Sequence, residues 1–160
     1  MAKNDKKQIL DVLLPRAVLR PENGIADRAV PDGMIHSGFV PIRSFPFRVG
    51  RESRGQLVKG SFLGTLRPRA PEPRPNNDLY LMDPGPGWQV SREHFQIEFR
   101  DGGYVLVDRG STLGTTVGDV RIGGRSGVAE APLADGDLIR VGEPSSMYAY
   151  TFICDLTAGE

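Results

Sequence analysis

The chain has 160 residues, of which 39% are hydrophobic and 25% charged, so it can bury one substantial core as a single domain. Its 20 basic and 20 acidic residues cancel, and a neutral chain is a poor nucleic-acid binder because affinity for the phosphate backbone grows with the number of phosphates neutralised. A single cysteine excludes an intrachain disulfide and a cysteine-based zinc cage. No apolar stretch reaches transmembrane length, so we expect a cytoplasmic protein with neither a nucleic-acid nor a membrane partner.

The charges are unevenly distributed, and the middle of the chain is its basic segment. Residues 1–50 carry eight Lys or Arg against five Asp or Glu, residues 51–75 carry six against two, and residues 76–160 carry six against thirteen. The neutral total therefore leaves room for a local anion site.

The first predicted element is a short amphipathic helix at about residues 5–14, capped by Asp5. Its apolar side chains fall on one helical face: Ile9, Leu10, Leu13 and Leu14. The helix either packs on its own domain or serves for docking or self-association. Residues 15–38 are rich in Pro, Gly and charge with little periodicity, which is typical of an arm or linker. Residues 1–38 are thus predicted to be an N-terminal extension.

From Phe39 onward, short β runs alternate with turn residues. The runs cover residues 45–49, 79–82, 95–99, 104–107, 115–117, 138–141 and 147–153. In the third run, apolar Phe95, Ile97 and Phe99 alternate with polar residues, which is the pattern of a strand with one buried face. Many short strands without a strong helix among them predict an all-β, antiparallel β-sandwich over residues 39–156. The apolar run that holds Cys154 predicts a buried structural thiol.

A basic, proline-rich insertion at residues 52–75 interrupts these runs. It contains Pro68, Pro71, Pro73 and Pro75 interleaved with Arg67, Arg69 and Arg74. Because proline at this density cannot serve a sheet interior, the insertion is predicted to be an extended loop. Residues 57–58 and 62–63 can still pair as a small hairpin.

Three polar segments lie between the β runs: Arg51, residues 91–94 and residues 110–118. A phosphate monoester near pH 7 carries up to two negative charges and needs charge-assisted donors held in a fixed geometry. Arg51 supplies a planar fork of donors. The three segments together therefore indicate a phosphate site.

Hydroxyl groups and a second cation complete this candidate site. Ser91 offers a short hydroxyl donor, and Arg92 can reach the same anion from a loop. Thr112 lies on a turn where glycine allows the backbone to approach a ligand closely. Nearby, Trp88 is expected to pack its turn against the sandwich rather than to stack on a ligand.

Ser91 and His94 also raise the alternative of nucleophilic catalysis, since imidazole can activate a hydroxyl. No third group is indicated to orient His94, and the only other histidine is His36 in the predicted arm. Two separated histidines and one cysteine give no metal-ligand spacing. We therefore predict a non-catalytic protein without metal or cofactor.

Five ordered motifs resemble a forkhead-associated (FHA) domain over residues 39–154. They are FRVGR at 47–51, NDLYL at 77–81, VSREHF at 90–95, DRGSTLGTTVG at 108–118 and LADGDLIRVG at 133–142. The resemblance implies a sandwich of about eleven strands that binds phosphothreonine peptides through loops at one end. It implies a protein partner phosphorylated by a Ser/Thr kinase, in signalling or assembly.

The resemblance assigns roles by position. Arg51 and Ser91 would hold the phosphate, and Arg92 and Thr112 would contact phosphate or peptide. Three further residues match positions that support the site structurally: Gly50, His94 and Gly114. His94 would brace the binding loops rather than touch the ligand.

The chain departs from the family pattern at two places. Leu113 stands where the family commonly has Asn, an amide that often hydrogen-bonds the peptide main chain. The insertion at 52–75 follows Arg51 directly, and it either reads acidic residues beside the phosphothreonine or is a solvated loop. The alternative function is a structural or assembly adaptor that binds its partner independently of phosphate, through the N-terminal helix or the insertion.

Overall fold

The computed structural model describes residues 3–53, 55–58, 61–64 and 75–156. Two helices and a 3₁₀ turn precede most of the strands: α1 (Lys3–Leu13), α2 (Gly24–Ala29) and Asp32–Met34. The strands are β1 (Ala17–Pro21), β2 (Val40–Ile42), β3 (Phe47–Arg51), β4 (Gly55–Val58), β5 (Ser61–Gly64), β6 (Leu79–Leu81), β7 (Phe95–Arg100), β8 (Gly103–Asp108), β9 (Thr115–Val117), β10 (Val120–Ile122), β11 (Glu130–Leu133), β12 (Leu138–Val141) and β13 (Ala149–Cys154). Neither of these helices is long and apolar enough to cross a membrane.

Two sheets make up the body of the domain. One has six strands in the order β10-β9-β12-β13-β1-β2, and the other has five in the order β11-β8-β7-β3-β6. Leu19, Ile139 and Phe152 from the first sheet join Ile97 and Leu106 from the second in one buried cluster. The predicted β-sandwich is thus confirmed, with eleven strands in the described part of these two sheets.

All seven predicted strands are present, and their ends lie within two residues of the predicted ones. Cys154 is buried in β13, as predicted, and burial raises the pKa of its thiol to about 11. Four strands were not predicted, namely β1, β2, β10 and β11.

One strand pair departs from the predicted antiparallel arrangement. β3 and β6 run parallel, with Val49 opposite Leu79 and Arg51 opposite Leu81. Parallel neighbours require a long crossover connection, because the chain must return to the starting end of the sheet. The chain between β3 and β6, which contains the insertion, makes that connection.

The prediction that residues 15–38 form an arm or linker is wrong. β1 lies inside the six-stranded sheet, paired with β13 from Ala17 opposite Cys154 to Pro21 opposite Tyr150, and with β2 on its other side. Ala26 of α2 is fully buried, and the hydroxyl of Tyr150 donates to its carbonyl at 2.8 Å. The domain therefore begins near Ala17 rather than at residue 39.

The predicted N-terminal helix is present as α1, but it begins at Lys3, so Asp5 lies in its first turn and the prediction that Asp5 caps it is wrong. The side chains of the predicted apolar face are about half exposed, from 44% to 61%: Ile9, Leu10 and Leu13 of α1, and Leu14 directly after it. The helix therefore does not bury this face on the sandwich. Self-association through it stays a prediction.

Within the insertion, β4 and β5 form the predicted hairpin, with Leu57 opposite Phe62. The arginines and prolines of the predicted basic stretch lie outside the described residues, except Pro75.

Candidate functional site

Hydrogen bonds donated by main-chain N–H groups bring the three polar segments together. The N–H of Arg51, at the end of β3, donates to the carbonyl of Ser91 at 2.9 Å. The N–H of Thr112, in the loop between β8 and β9, donates to Oγ of Ser91 at 3.0 Å. Ser91 is therefore the junction between the arginine and the glycine-rich loop, and the predicted residues meet at one end of the sandwich.

The guanidinium of Arg51 is fixed on two sides. Its Nε donates to the carbonyl of Val90 at 2.9 Å, and its Cζ lies 4.0 Å from the centre of the Trp88 ring. Among the described residues, no hydrogen-bond acceptor is found for its two terminal nitrogens. A planar fork with free terminal donors suits bidentate binding of a phosphate.

The charge of Arg51 is partly desolvated. Burial lowers its pKa, the carboxylate of Asp83 raises it, and the positive charge of Arg92 lowers it further, with a net decrease. Arginine stays protonated in proteins despite such shifts. Two guanidinium groups therefore share a region that an anion would neutralise.

The hydroxyl of Ser91 is able to donate a hydrogen bond at the site. Its Oγ accepts the hydrogen bond from Thr112, so the O–H remains a donor for another group. Its backbone N–H is not available to a ligand, because it donates to Nδ1 of His94 at 2.9 Å. Arg92 and Thr112 are exposed beside it.

His94 is fully buried and joins two loops. Its Nδ1 accepts from the Ser91 N–H, and its Nε2 lies 2.8 Å from the carbonyl of Gly114. Burial lowers the pKa of the imidazole, more than the Gly114 carbonyl and Asp108 raise it. Because the ring bonds the main chain of Ser91 and not its hydroxyl, His94 is not placed to activate a nucleophile.

The loop that carries Thr112 is shaped by its own polar side chains. Asp108 accepts hydrogen bonds from the N–H groups of Gly110 and Ser111 and from the Ser111 hydroxyl. Gly114 has a φ of +78°, and a Cβ there would lie 2.6 Å from the carbonyl of Ile122. Only glycine fits this position.

Leu113 is half-buried in the same loop. Its carbonyl accepts a hydrogen bond from Nη2 of Arg121, while Nη1 of Arg121 donates to the carbonyl of Gly142 at 2.7 Å. Arg121 therefore holds the backbone at Leu113. The departure from the family pattern at this position is confined to the side chain, which is Leu in place of Asn.

Two residues that were not predicted as site residues support the segment around Arg92. The carbonyl of Arg92 accepts from Nδ2 of Asn77 at 2.8 Å, and Oδ1 of Asn77 accepts from Nη1 of Arg109 at 2.6 Å. A Cβ on Gly50 would lie 2.1 Å from that same carbonyl. Gly50 is thus required by close approach, and Asn77 was detectable only as part of the NDLYL motif.

Trp88 does not pack its turn against the sandwich, contrary to the prediction. Its side chain is 54% exposed, and its ring covers the Arg51 guanidinium instead of joining the core. The turn is held by Asp83, whose carboxylate accepts from the N–H groups of Gln89 at 2.7 Å and Val90 at 3.0 Å. No local pattern in the sequence connects Trp88 with Arg51, since they lie on different loops.

Comparisons with known proteins agree with the fold. The FHA domain family model matches residues 47–142, which is more than half of the chain. A search of curated proteins found no match to this chain.

Three solved structures illustrate the similarity. Full-length Pml1p of yeast is 19% identical with a TM-score of 0.51, over 96% of this chain and 93% of that one, and it supports the fold. The FhaA FHA domain, complexed with the intracellular domain of Rv3910, is 26% identical with a TM-score of 0.42, over 86% and 97%. Mycobacterium tuberculosis EmbR, in complex with a low-affinity phosphopeptide, is 20% identical with a TM-score of 0.45; the match covers 94% of this chain but 29% of EmbR. The sandwich, the arrangement of its loops and the family match together show that the chain belongs to the FHA domain family.

Proposed function

We propose that this FHA domain binds phosphothreonine in a protein partner that a Ser/Thr kinase has phosphorylated, in signalling or assembly. FHA domains are binding modules without catalytic activity. The observation that carries the proposal is the Arg51 guanidinium, which is fixed at Nε while its terminal nitrogens have no acceptor among the described residues. The hydroxyl of Ser91 lies in the next loop with its proton available.

The electrostatics support a doubly charged ligand. The positive charges of Arg51 and Arg92 repel each other when nothing is bound: burial chiefly lowers the pKa of Arg51, and the charge of Arg92 lowers it further. A phosphate between them replaces that repulsion with charge-assisted hydrogen bonds. In this proposal Arg51 and Ser91 hold the phosphate, while Arg92 and Thr112 contact phosphate or peptide.

Residues that do not contact the ligand hold the phosphate-binding donors in a fixed geometry. Gly50, His94 and Gly114 take the structural roles, because each allows or makes a close contact between the loops. Preorganised donors lose little entropy when the ligand binds.

The test is a screen of the full chain against an oriented phosphothreonine peptide library, followed by calorimetry with the selected peptide. We expect binding of the phosphothreonine form and far weaker binding of the phosphoserine and unphosphorylated forms. Arg51→Ala should weaken binding by about 100-fold, since two charge-assisted hydrogen bonds are lost. Arg20→Ala removes the same charge from an exposed residue bonded to Glu22, and it should bind as the wild type does. Undiminished binding by Arg51→Ala would overturn the site.

A phosphate-independent adaptor role is favoured by one observation, the half-exposed apolar face of α1. A partner identified by the peptide screen can be treated with phosphatase and captured by the full chain. Undiminished capture would favour the adaptor role, whereas loss of capture would favour phosphate recognition. The Leu13→Asp variant should lose capture of the partner if the adaptor role is correct, and should keep it if the domain recognises phosphate.

A further inference from the structure

We propose that Trp88 is a positioning residue for phosphate recognition, because its indole ring holds the Arg51 guanidinium in the orientation that leaves its terminal donors free. This inference rests on the proposed function of the site. It adds a residue from a segment outside the five FHA-like motifs, namely the turn between β6 and β7.

Stacking is well suited to this task. The Cζ of Arg51 lies 4.0 Å from the centre of the indole ring, so the guanidinium is held through its flat face. The hydrogen-bond donors of a guanidinium lie at its edge, and a contact on the face leaves them unused. Within the part of the chain that the structure describes, only Nε of this guanidinium has an acceptor, the Val90 carbonyl. A carboxylate partner would hold the arginine as firmly but would occupy the donors that a phosphate needs.

The indole is itself held by its turn. A Cβ on Gly85 would lie 2.4 Å from Nε1 of Trp88, so the ring packs directly on the glycine backbone. Asp83 accepts hydrogen bonds from the N–H groups of Gln89 and Val90, on the other side of Trp88 in the chain. The Gly85 backbone therefore packs against the ring, and the Asp83 carboxylate holds the main chain that follows Trp88.

Trp88 is not part of the hydrophobic core. It is 54% exposed, compared with 41% for Phe99 and 38% for Phe39. Exposing so much apolar surface has no benefit for folding, since burial is what makes an aromatic side chain stabilising. The contact with Arg51 gives the exposed ring a role, and the strength of cation–π contacts corresponds to about 2- to 30-fold in affinity.

The first experiment needs no ligand. Trp88 is the only tryptophan among the 160 residues, so the intrinsic tryptophan fluorescence of this chain reports on this ring alone. Arg51→Ala should uncover one face of the indole and raise the acrylamide quenching constant. The matched control Arg20→Ala should leave quenching unchanged. Equal quenching in all three proteins would show that the ring is not covered by Arg51, and it would overturn the inference.

The second experiment compares Trp88→Ala, Trp88→Phe and Trp88→Leu by calorimetry with the phosphothreonine peptide selected above. Trp88→Ala should weaken binding by about 10-fold. Phe keeps an aromatic face and should recover most of the affinity, whereas Leu keeps apolar volume without that face and should not. Thermal unfolding should be similar for the Phe and Leu variants, which separates positioning from a structural role.

A double-mutant cycle then tests whether Trp88 acts through Arg51. Arg51→Lys replaces the planar fork with a point charge that stacks less well. If Trp88 works by holding the guanidinium, Trp88→Ala should cost much less affinity in the Arg51→Lys background than in the wild type. Additive losses would mean that the indole contacts the peptide directly, which contradicts the inference.

The outcomes separate the inference from the function on which it rests. If the wild type binds no phosphothreonine peptide, the proposed function fails and the inference falls with it. If the wild type binds and Arg51→Ala does not, while all three Trp88 variants bind normally, the function stands and the inference is wrong.

Discussion

The N–H of Ser91 donates a hydrogen bond to Nδ1 of His94 at 2.9 Å, which requires that this nitrogen carry no proton. In the neutral ring the proton then lies on Nε2, which donates to the Gly114 carbonyl at 2.8 Å. One tautomer therefore links the loop of Ser91 to the loop of Thr112. A second proton, on Nδ1, would point this N–H at the N–H of Ser91 inside the protein.

This arrangement makes stability depend on pH. Burial lowers the pKa of His94 below its ordinary value of 6.5, so the unfolded chain binds a proton more readily than the folded one. The contribution of His94 is complete above about pH 6.5 and is lost as pH falls below it. Urea unfolding should show stability that decreases from about pH 7.5 to about pH 5.5, by at most about 1.4 kcal/mol for each pH unit below about 6.5.

Two variants identify the group responsible. His36→Gln, at an exposed position, should keep the pH dependence, while His94→Gln should flatten it and lower stability at every pH. Carboxylates with lowered pKa, such as Glu22 and Glu98, titrate below this range. The prediction fails if the His94 variant keeps the wild-type slope.

Gly50 should not tolerate a side chain. A Cβ there would meet the Arg92 carbonyl at 2.1 Å and Nδ2 of Asn77 at 2.6 Å, and backbone cannot yield as a flexible side-chain end does. Gly50→Ala should therefore destabilise the domain by about 1–3 kcal/mol and displace Arg92, weakening phosphopeptide binding. Gly33→Ala is the control, because a Cβ at Gly33 meets nothing within 4 Å. Equal unfolding midpoints for the two variants in urea would contradict the prediction.

The sequence predicted the strands whose two faces differ. In β7, Phe95 and Ile97 are buried while Gln96 and Glu98 are half-exposed, so the alternation was readable. β1 lacked this signal, because Ala17, Val18 and Leu19 are all buried. A short apolar run between prolines has no period, and its place between β2 and β13 depends on contacts with residues far along the chain.

The same distinction applies to the site. Arg51, Ser91 and Thr112 lie in motifs with a fixed order, and the structure brings them together. Trp88 and Asp83 lie in a turn without such a motif, and their relation to Arg51 exists only after two loops pack on each other. Composition could suggest an anion site, but it could not indicate what holds the arginine.

Asp83 should matter for both stability and binding. Its buried carboxylate accepts from the N–H groups of Gln89 and Val90, and also from the hydroxyl of Tyr148 at 3.2 Å. Asp83→Ala leaves these donors unpaired, so we expect a loss of about 2–5 kcal/mol in the free energy of unfolding. Phosphopeptide binding should fall too, because the turn that carries Trp88 loses its anchor.

Tyr148→Phe is the matched control for Asp83→Ala. It removes a single hydrogen bond and should cost about 1 kcal/mol with unchanged affinity. Burial and the nearby carboxylate raise the pKa of Tyr148 to about 12, which agrees with a hydroxyl that donates to Asp83. Chemical denaturation and calorimetry on the two variants measure both effects. If the Asp83 variant were no less stable than the Tyr148 variant, the carboxylate would not be the anchor of the turn.

Leu113→Asn should strengthen phosphopeptide binding. The Leu113 carbonyl is held by Arg121, so the backbone should keep its place while the half-buried side chain gains an amide. One added hydrogen bond to the peptide main chain corresponds to about 2- to 10-fold in affinity. Leu113→Ala removes the same apolar side chain without adding an amide, and it should give no increase. Calorimetry with one phosphothreonine peptide compares the three proteins directly. If both variants bind more weakly than the wild type, Leu113 itself contacts the peptide, and this site recognises its ligand by apolar contact where the family pattern has an amide.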